Sequence, residues 1–450
     1  MLKTFRDALR VPEIRKKLWY TFLMLIVIRI GSQLPTPGVD PNYIKEFFAY
    51  QTGDAFNFFN AFTGGSFESM SIFALSISPY ITSSIIVQLL TIAIPKLEEM
   101  QKDGEDGKKK INKLTRYVTV VLALIQAIAM TVGFGRQGLL VKYNFINVAI
   151  VVLTLTAGSA FLMWAGERIT EKGIGNGISI ILLINILSSI PNDFRNLYTK
   201  FMAGNIAEKK YWMAALAALI ILLIILFVVI FVIFLQDGQR KIPVQYSQKI
   251  QGRKTYGGQS SHIPLKVNTA GVIPVIFASS LMQFPILIAT FLGKDLENGK
   301  GIGYSILNGL NSNNWFNAEK LPGSLVDSWG LIVYIVLTIA FAYFYTSITF
   351  NPLEIANNMK KNGGFVPGIR PGKPTADYLA KILKYIIFVG AVGLVIVQVI
   401  PFFFNGWFGA MVSFGGTSLI IIIGVVLETL QQIESQMLVR NYKGFLNSGK

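Results

Sequence analysis

The chain is 450 residues long, 52% hydrophobic and only 14% charged, with a mean hydropathy of +0.52, a composition that excludes an ordinary soluble globule and points to a polytopic membrane protein. It has no cysteine and a single histidine, His262, so disulfide frameworks, thiolate metal sites and histidine metal clusters are excluded. A net charge of +17 in so apolar a chain must be carried by loops, where it orients the protein, meets anionic lipid, or receives acidic and RNA-bearing partners.

The N-terminal segment carries Lys3, Arg6, Arg10, Arg15, Lys16 and Lys17 ahead of a first apolar run, Leu18 to Leu34. No small-residue cleavage site follows this run, which closes on Gln33-Leu34-Pro35-Thr36-Pro37-Gly38, so it is expected to stay as a first helix with its positive flank inside. Arg29, near the outer end, suits snorkelling or a local carbonyl partner, a structural role rather than a transport one.

Residues 56–95 break the helical pattern. Phe56, Phe58, Phe59 and Phe62 run into Thr63, Gly64, Gly65 and Ser66, a small-residue break that ends a short helix before it crosses a bilayer. A charge-poor span is then expected from Met70 to Ile94, dotted with Ser76, Ser78, Thr82, Ser83, Ser84 and Gln88. Irregular backbone at membrane depth is tolerated only where it is buried in protein or lines a cavity, which suggests a pore with something lodged in it. An external amphipathic loop followed by an ordinary span is the competing account.

A polar, cytoplasmic loop is expected at Lys96 to Arg116, with Lys102, Lys108, Lys109, Lys110 and Lys113 between them. Further spans are expected near Tyr117–Gly135, Asn147–Ala165, Ile178–Ile190, Trp212–Leu235, Ala270–Leu292, Gly330–Phe350, Ile382–Phe402 and Ala410–Leu430, for ten in all. Lys and Arg concentrate in alternate connections, which places both termini on the cytoplasmic side. Two inner loops are long and basic. Residues 236–268 contain Arg240, Lys241, Lys249, Arg253, Lys254 and Lys266, with alternating runs such as IPVQY that predict a β-hairpin. Residues 351–380 contain Lys360, Lys361, Arg370 and Lys373, with GGFVPGIRPGKP predicting an ordered, protruding loop. Such charge serves as a solvated or lipid-facing surface in many membrane proteins; two long loops on one side favour a docking platform.

Other motifs carry nothing. Gly133 to Gly138 matches GxGxxG but closes a membrane helix instead of joining a strand to a helix, and Gly444 to Lys450 spells GxxxxGK without the following Ser or Thr. No catalytic constellation falls inside the spans, so the chain is not expected to be an enzyme, and no cofactor is implied. Glu167, Asp237 and Glu428 lie near helix ends, unlike the mid-span charges of ion-coupled carriers.

Six segments in order resemble signatures of the SecY family, the central channel subunit of the bacterial Sec protein translocase: LPTPGVD, FALSISPYITSSIIVQLL, GERITEKGIGNGISIILL, LKVNTAGVIPVIFASSLMQFP, VPGIRPGKPTADYL and FGGTSLIIII. The resemblance implies an all-α polytopic fold of ten transmembrane helices in two inverted pseudo-symmetric halves of five, residues 1–190 and 212–450. A hinge connects them at 191–211, and the halves enclose an hourglass pore.

The resemblance also implies a pore ring at Ile77, Ile81, Ile178, Leu182, Ile276 and Ile421, with Leu182 where Ile is usual. Any one of these read alone is ordinary helix packing. A re-entrant plug half helix is implied at about 54–70, including Phe58, Phe59, Phe62, Thr63, Gly64, Gly65 and Ser66. A lateral gate carries Gln88, Gln126 and Asn268, positions that generic interhelical bonding also accounts for. Docking falls to Arg240, Lys241, Arg253, Lys254 and Arg370.

Implied partners are the subunits SecE and SecG, the motor ATPase SecA, the ribosome through rRNA contacts, signal-sequence-bearing polypeptides and anionic lipids, all at the bacterial plasma membrane. Two other classes fit the composition: a small-solute permease built from inverted repeats, and a scaffold for ribosome attachment.

Overall fold

The computed structural model describes residues 6, 9–40, 60, 62–203, 211–246, 249–251, 254–256, 260–291, 302–311, 315, 328–408 and 416–447. Ten helices of 16 residues or more run through these residues: α1 (Pro12–Gly31), α2 (Ser78–Ala93), α4 (Glu105–Phe134), α5 (Phe145–Lys172), α6 (Gly177–Leu197), α7 (Tyr211–Asp237), α8 (Ile273–Phe291), α10 (Trp329–Thr349), α12 (Lys373–Phe408) and α13 (Gly416–Asn447). Shorter helices are α3 (Pro95–Lys102), α9 (Ile302–Leu310) and α11 (Pro352–Lys361). Seven helices are long and apolar enough to cross a membrane by themselves, and α2 with α3, bent by 106°, makes an eighth. In α1 the apolar run is diluted by Arg15, Lys16, Lys17 and Arg29; in α8 the apolar stretch is short.

Apolar surface gives helices no reason to associate in lipid, so close approach through small residues and interhelical hydrogen bonds must hold them. The sequence provides both at four-residue spacing. On α4 the buried face runs Thr115, Thr119, Ala123, Ala127 and Thr131, and it packs on α2 and α5. Ser83 Oγ donates to the Thr115 carbonyl there, at 2.8 Å. On α10 the buried face runs Gly330, Tyr334, Thr338, Ala342 and Thr346 against α8 and α12, where Thr338 Oγ1 donates to Gln398 Oε1 at 3.2 Å. The opposite faces, such as Leu222 and Phe234 of α7, are exposed and apolar, as a lipid-facing surface requires.

Several segments depart from expectation. The second span is helical only from Ser78, because residues 64–77 form turns, with left-handed backbone at Met70 (φ 42°) and Ser76 (φ 52°). The polar stretch from Lys96 to Arg116 is no loop: it forms α3 and the first turns of α4, started by Pro95 and by the acidic Glu105 and Asp106. Helix α6 continues through Pro191 to Leu197, beyond the expected end at Ile190. The segment 351–380 holds α11 and the start of α12, leaving only residues 362–372 as a connection.

The hairpin expected in the first basic segment is present. Strand β1 (Gln239–Tyr246) pairs antiparallel with β4 (Ser260–Lys266), with β2 (Lys249–Gln251) and β3 (Lys254–Tyr256) between them, and β5 (Gly364–Phe365) adds to the other edge of β1. Alternation on β1 sends Ile242 and Val244 inward while Lys241, Pro243 and Gln245 face out. The inward pair joins Leu265, Met359, Val366, Leu379, Ile382 and Ile386 in one core. The two basic segments, separate in the sequence, therefore form a single folded unit. Replacing Leu265 by Ala should cost about 2–5 kcal/mol of that unit's stability. Limited proteolysis should then cut between α7 and α8 faster than in the parent, with the spans left intact.

Candidate functional site

All six aliphatic positions named above meet in one cluster. Ile77, Leu182, Ile276 and Ile421 are buried, and Ile81 and Ile178 pack against them partly exposed. They arrive from different elements: Ile77 and Ile81 at the start of α2, Ile178 and Leu182 on α6, Ile276 on α8 and Ile421 on α13. Local chemistry at α6 fixes two of them. Asn176 caps the helix by accepting from Ile178 N (3.1 Å), and a Cβ at Gly177 would collide with the Gly166 carbonyl, so only glycine lets α5 approach so closely.

A cavity of about 440 Å³ reaches this cluster. Ile81, Ile178, Leu182, Ile276 and Ile421 line its apolar part, while Asn112, Arg116, Glu167, Glu171 and Asn176 line a polar part. Arg116 Nε donates to Glu167 Oε1 at 2.7 Å, tying α4 to α5 by a half-exposed ion pair worth at most about 1 kcal/mol. The α5–α6 turn lies on the same face as the sheet: Gly175 N donates to Gln432 Oε1 (2.6 Å), and Lys266 Nζ to the adjacent Gln431 Oε1 (2.9 Å).

Residues 60–70 pack against the cluster from the remaining direction, through Phe62. Among the described residues only Asn60, Phe62 and Thr63 are helical here, and 64–70 are turns, so the expected half helix is shorter than 54–70. Phe58 and Phe59 lie outside the described residues. The segment is closed on itself: Asn60 Nδ2 donates to Glu68 Oε2 (2.8 Å), Glu68 N donates back to Asn60 Oδ1 (3.2 Å), and Thr63 Oγ1 accepts from Phe67 N (3.3 Å). Gly65 (φ 82°) and the buried Ser66 complete the turn.

Four side-chain hydrogen bonds from α1 and α6 reach this region, and none of their donors except Arg29 stands out in the sequence. Arg29 Nη1 and Ser188 Oγ both donate to the Gly64 carbonyl, at 3.2 and 3.3 Å. Asn185 Nδ2 donates to the Phe62 carbonyl and to Ser76 Oγ, each at 3.2 Å. The carbonyl partner expected for Arg29 is thus Gly64. Asn185 and Ser188 were detectable only as polar interruptions on one face of an apolar helix.

At the α2–α8 seam the expected bridge is not made. Helix α8 packs on α2 and α4, but Asn268 Nδ2 turns to the Gly271 carbonyl (2.9 Å) at the entrance to α8. Gln88 lines the cavity and Gln126 is half-buried on α4. No hydrogen bond among the described residues joins these three side chains. On the sheet face, Arg240, Lys241 and Arg370 are exposed; Arg253 lies outside the described residues, as does the side chain of Lys254. The Arg370 carbonyl accepts from Thr375 Oγ1 (2.8 Å), which orders its loop against α12.

A multi-pass helical bundle in which an uncharged aliphatic waist is open to a cavity on one side and packed by a broken segment on the other defines a membrane channel. Comparison with known proteins agrees. The SecY family profile matches residues 71–430. The chain is 43% identical to the protein translocase subunit SecY of Halalkalibacterium halodurans, covering 99% of this chain and 100% of that one, and 42% identical to that of Bacillus subtilis, covering all of both. The solved structure of a protein conducting channel superposes with a TM-score of 0.63 at 16% identity over 96% of each chain, and Sec61 in the canine ribosome-channel complex with 0.61 at 17% identity, likewise over 96% of each. The chain belongs to the SecY family and forms a protein-conducting channel of ten spans in two inverted halves.

A Cβ on Gly64 would lie 2.8 Å from Arg29 Nη1 and 2.9 Å from Asn185 Cα, at a φ of +66° that β-branched residues avoid. Gly64→Val should therefore unseat the segment at a cost of about 1–3 kcal/mol. Resting ion leak in proteoliposomes is the measurement, and it should rise about tenfold or more.

Proposed function

We propose that unfolded secretory polypeptides cross the bacterial plasma membrane through the waist formed by Ile77, Ile81, Ile178, Leu182, Ile276 and Ile421. Hydrophobic segments leave it sideways between α2 and α8. The convergence of these six side chains from four helices at the end of one cavity is the observation that carries the proposal. Aliphatic side chains yield around a passing chain of any sequence, offer ions no polar partner, and dewet when nothing occupies them. Residues 60–70 act as the plug that limits leak in the resting state.

Lateral release is a partition between waist and lipid. Each Leu or Ile in a passing segment contributes about −0.3 to −0.6 kcal/mol and a central Lys or Arg costs about 2.5–3.5 kcal/mol, so summed hydropathy sorts membrane spans from secreted stretches. The seam is suited to opening because no hydrogen bond among the described residues joins Gln88, Gln126 and Asn268 across it.

The sheet unit and the 362–372 loop, with Arg240, Lys241, Arg253, Lys254 and Arg370, form the docking face for the ribosome and for SecA. That face is cytoplasmic, as are both termini, and it also meets anionic lipid. The canine Sec61 structure, taken in a ribosome complex, supports the ribosome as partner. Family membership supports SecE and SecG as companion subunits. Nothing in the comparisons favours a small-solute permease.

Photo-reactive probes placed at each of the six positions test the waist. In liposomes driven by SecA and ATP, an arrested secretory precursor should be labelled from all six; absence of labelling at every one, alongside gradient-driven solute uptake, would leave the permease. Ile81→Asn or Ile276→Asn should admit precursors with defective signals, scored as protease-protected product. Deleting residues 57–66 should raise conductance in planar bilayers, at least transiently. Arg370→Glu should weaken ribosome binding, read by co-sedimentation, while the resting channel stays sealed.

A further inference from the structure

Asn185 is 3% exposed, deep in the first half, and both protons of its side-chain amide are used. One goes to the Phe62 carbonyl in the plug segment. The other goes to Ser76 Oγ, on the residue that precedes Ile77 of the waist. Ser76 has a left-handed backbone (φ 52°) that a serine adopts only under external constraint, and its carbonyl accepts from Ser159 Oγ of α5 at 3.1 Å. Asn185 is itself one turn along α6 from Leu182, another waist residue. Arg29, by contrast, reaches the plug at Gly64, while Ser188 Oγ lies 3.3 Å from the Gly64 carbonyl and donates to the Asn185 carbonyl at 2.7 Å.

We propose that Asn185 is a positioning residue that couples seating of the plug to closure of the aliphatic waist, through one amide shared between the Phe62 carbonyl and the Ser76 hydroxyl. Departure of the plug withdraws one acceptor and leaves a buried donor unpaired, which raises the free energy of the closed waist. Repacking α6 and the strained break at Ser76 relieves that penalty, and both carry waist residues. Linkage makes the effect reciprocal: a chain that spreads the waist loosens the plug by the same factor. The inference rests on reading residues 60–70 as the plug.

The chain has no cysteine, so single cysteines can be placed without background. Ser66 in the plug segment is buried, and Ser66→Cys serves as the labelling site. In the full-length channel, reconstituted in one orientation, a membrane-impermeant thiol reagent is added to either compartment. Arg29→Lys should speed labelling of that cysteine only from the compartment opposite the sheet. Asn185→Ala should speed it about three- to tenfold from both compartments. Asn185→Gln, which keeps both amide protons, should restore most of the protection. Ser76→Ala, which removes only the waist-side acceptor, should also speed labelling from both sides, and it decides the matter if Asn185→Ala fails to fold.

Acceleration by Asn185→Ala from the far compartment alone, or no change with Ser76→Ala, would overturn the coupling. The plug reading fails separately, if deleting residues 57–66 leaves conductance unchanged.

Discussion

A polypeptide that abandons the helix inside a bilayer must still pair every peptide N–H and C=O, because lipid offers no partners. Residues 64–77 face that constraint, and their neighbours meet it. Ile72 N donates to the Leu34 carbonyl and Thr36 N to the Met70 carbonyl, both at 2.9 Å, so the Pro-rich segment after α1 serves as a short partner strand. Inside the segment, Gly65, Ser69, Ser71, Ala74 and Ser76 all donate to carbonyls a few residues back. Arg29, Asn185, Ser188 and Ser159 add side-chain donors from α1, α6 and α5. These side chains hold the broken stretch beside the aliphatic cluster.

The waist and the bundle around it obey opposite packing rules. Where helices pack closely, α4 and α10 present Thr, Ala or Gly at four-residue spacing, with Ser83 Oγ of α2 donating to the α4 backbone and Thr338 Oγ1 of α10 to Gln398 Oε1. Where they must part, branched aliphatic side chains meet across the gap with dispersion contacts alone. Such contacts are individually weak and re-form after each displacement, whereas a broken buried hydrogen bond has no substitute until its own partner returns. If the six meet a passing chain as proposed, movement falls at Ile77, Ile81, Ile178, Leu182, Ile276 and Ile421 in preference to the bonded helix contacts.

Much of this architecture was legible in the residues. Hydropathy marked α4, α5, α6, α7, α10, α12 and α13, since an apolar run of about 20 residues matches the thickness of a bilayer's hydrocarbon core, and the Gly64-Gly65 pair marked a break. Boundaries were less visible where polar residues continue a helix out of the membrane, as at Glu105 to Arg116, because hydropathy reports the solvent and not the backbone. The second span was placed too early for the converse reason: residues 70–77 are apolar enough to span but are held in turns by long-range bonds to Leu34, Asn185 and Ser159. Sequence separation also hid the joining of β1 to β5, more than a hundred residues apart, and the role of Asn185, whose partners lie 109 and 123 positions away.

Helix α13 carries Gln431, Gln432 and Gln436 along its last turns, and two of these reach the first half: Gln432 to the amide of Gly175 and Gln436 to Lys17 Nζ at 3.3 Å. Together with the packing of α13 on α6, they join the two parts of the chain at one flank, while α8 packs on α2 and α4 at another. Under the lateral release proposed above, a body bonded along one edge would open like a book, its pages parting on the margin where α2 meets α8. One arm of the clasp is amide to amide and the other a lysine ammonium on a neutral amide, so neither is an ion pair.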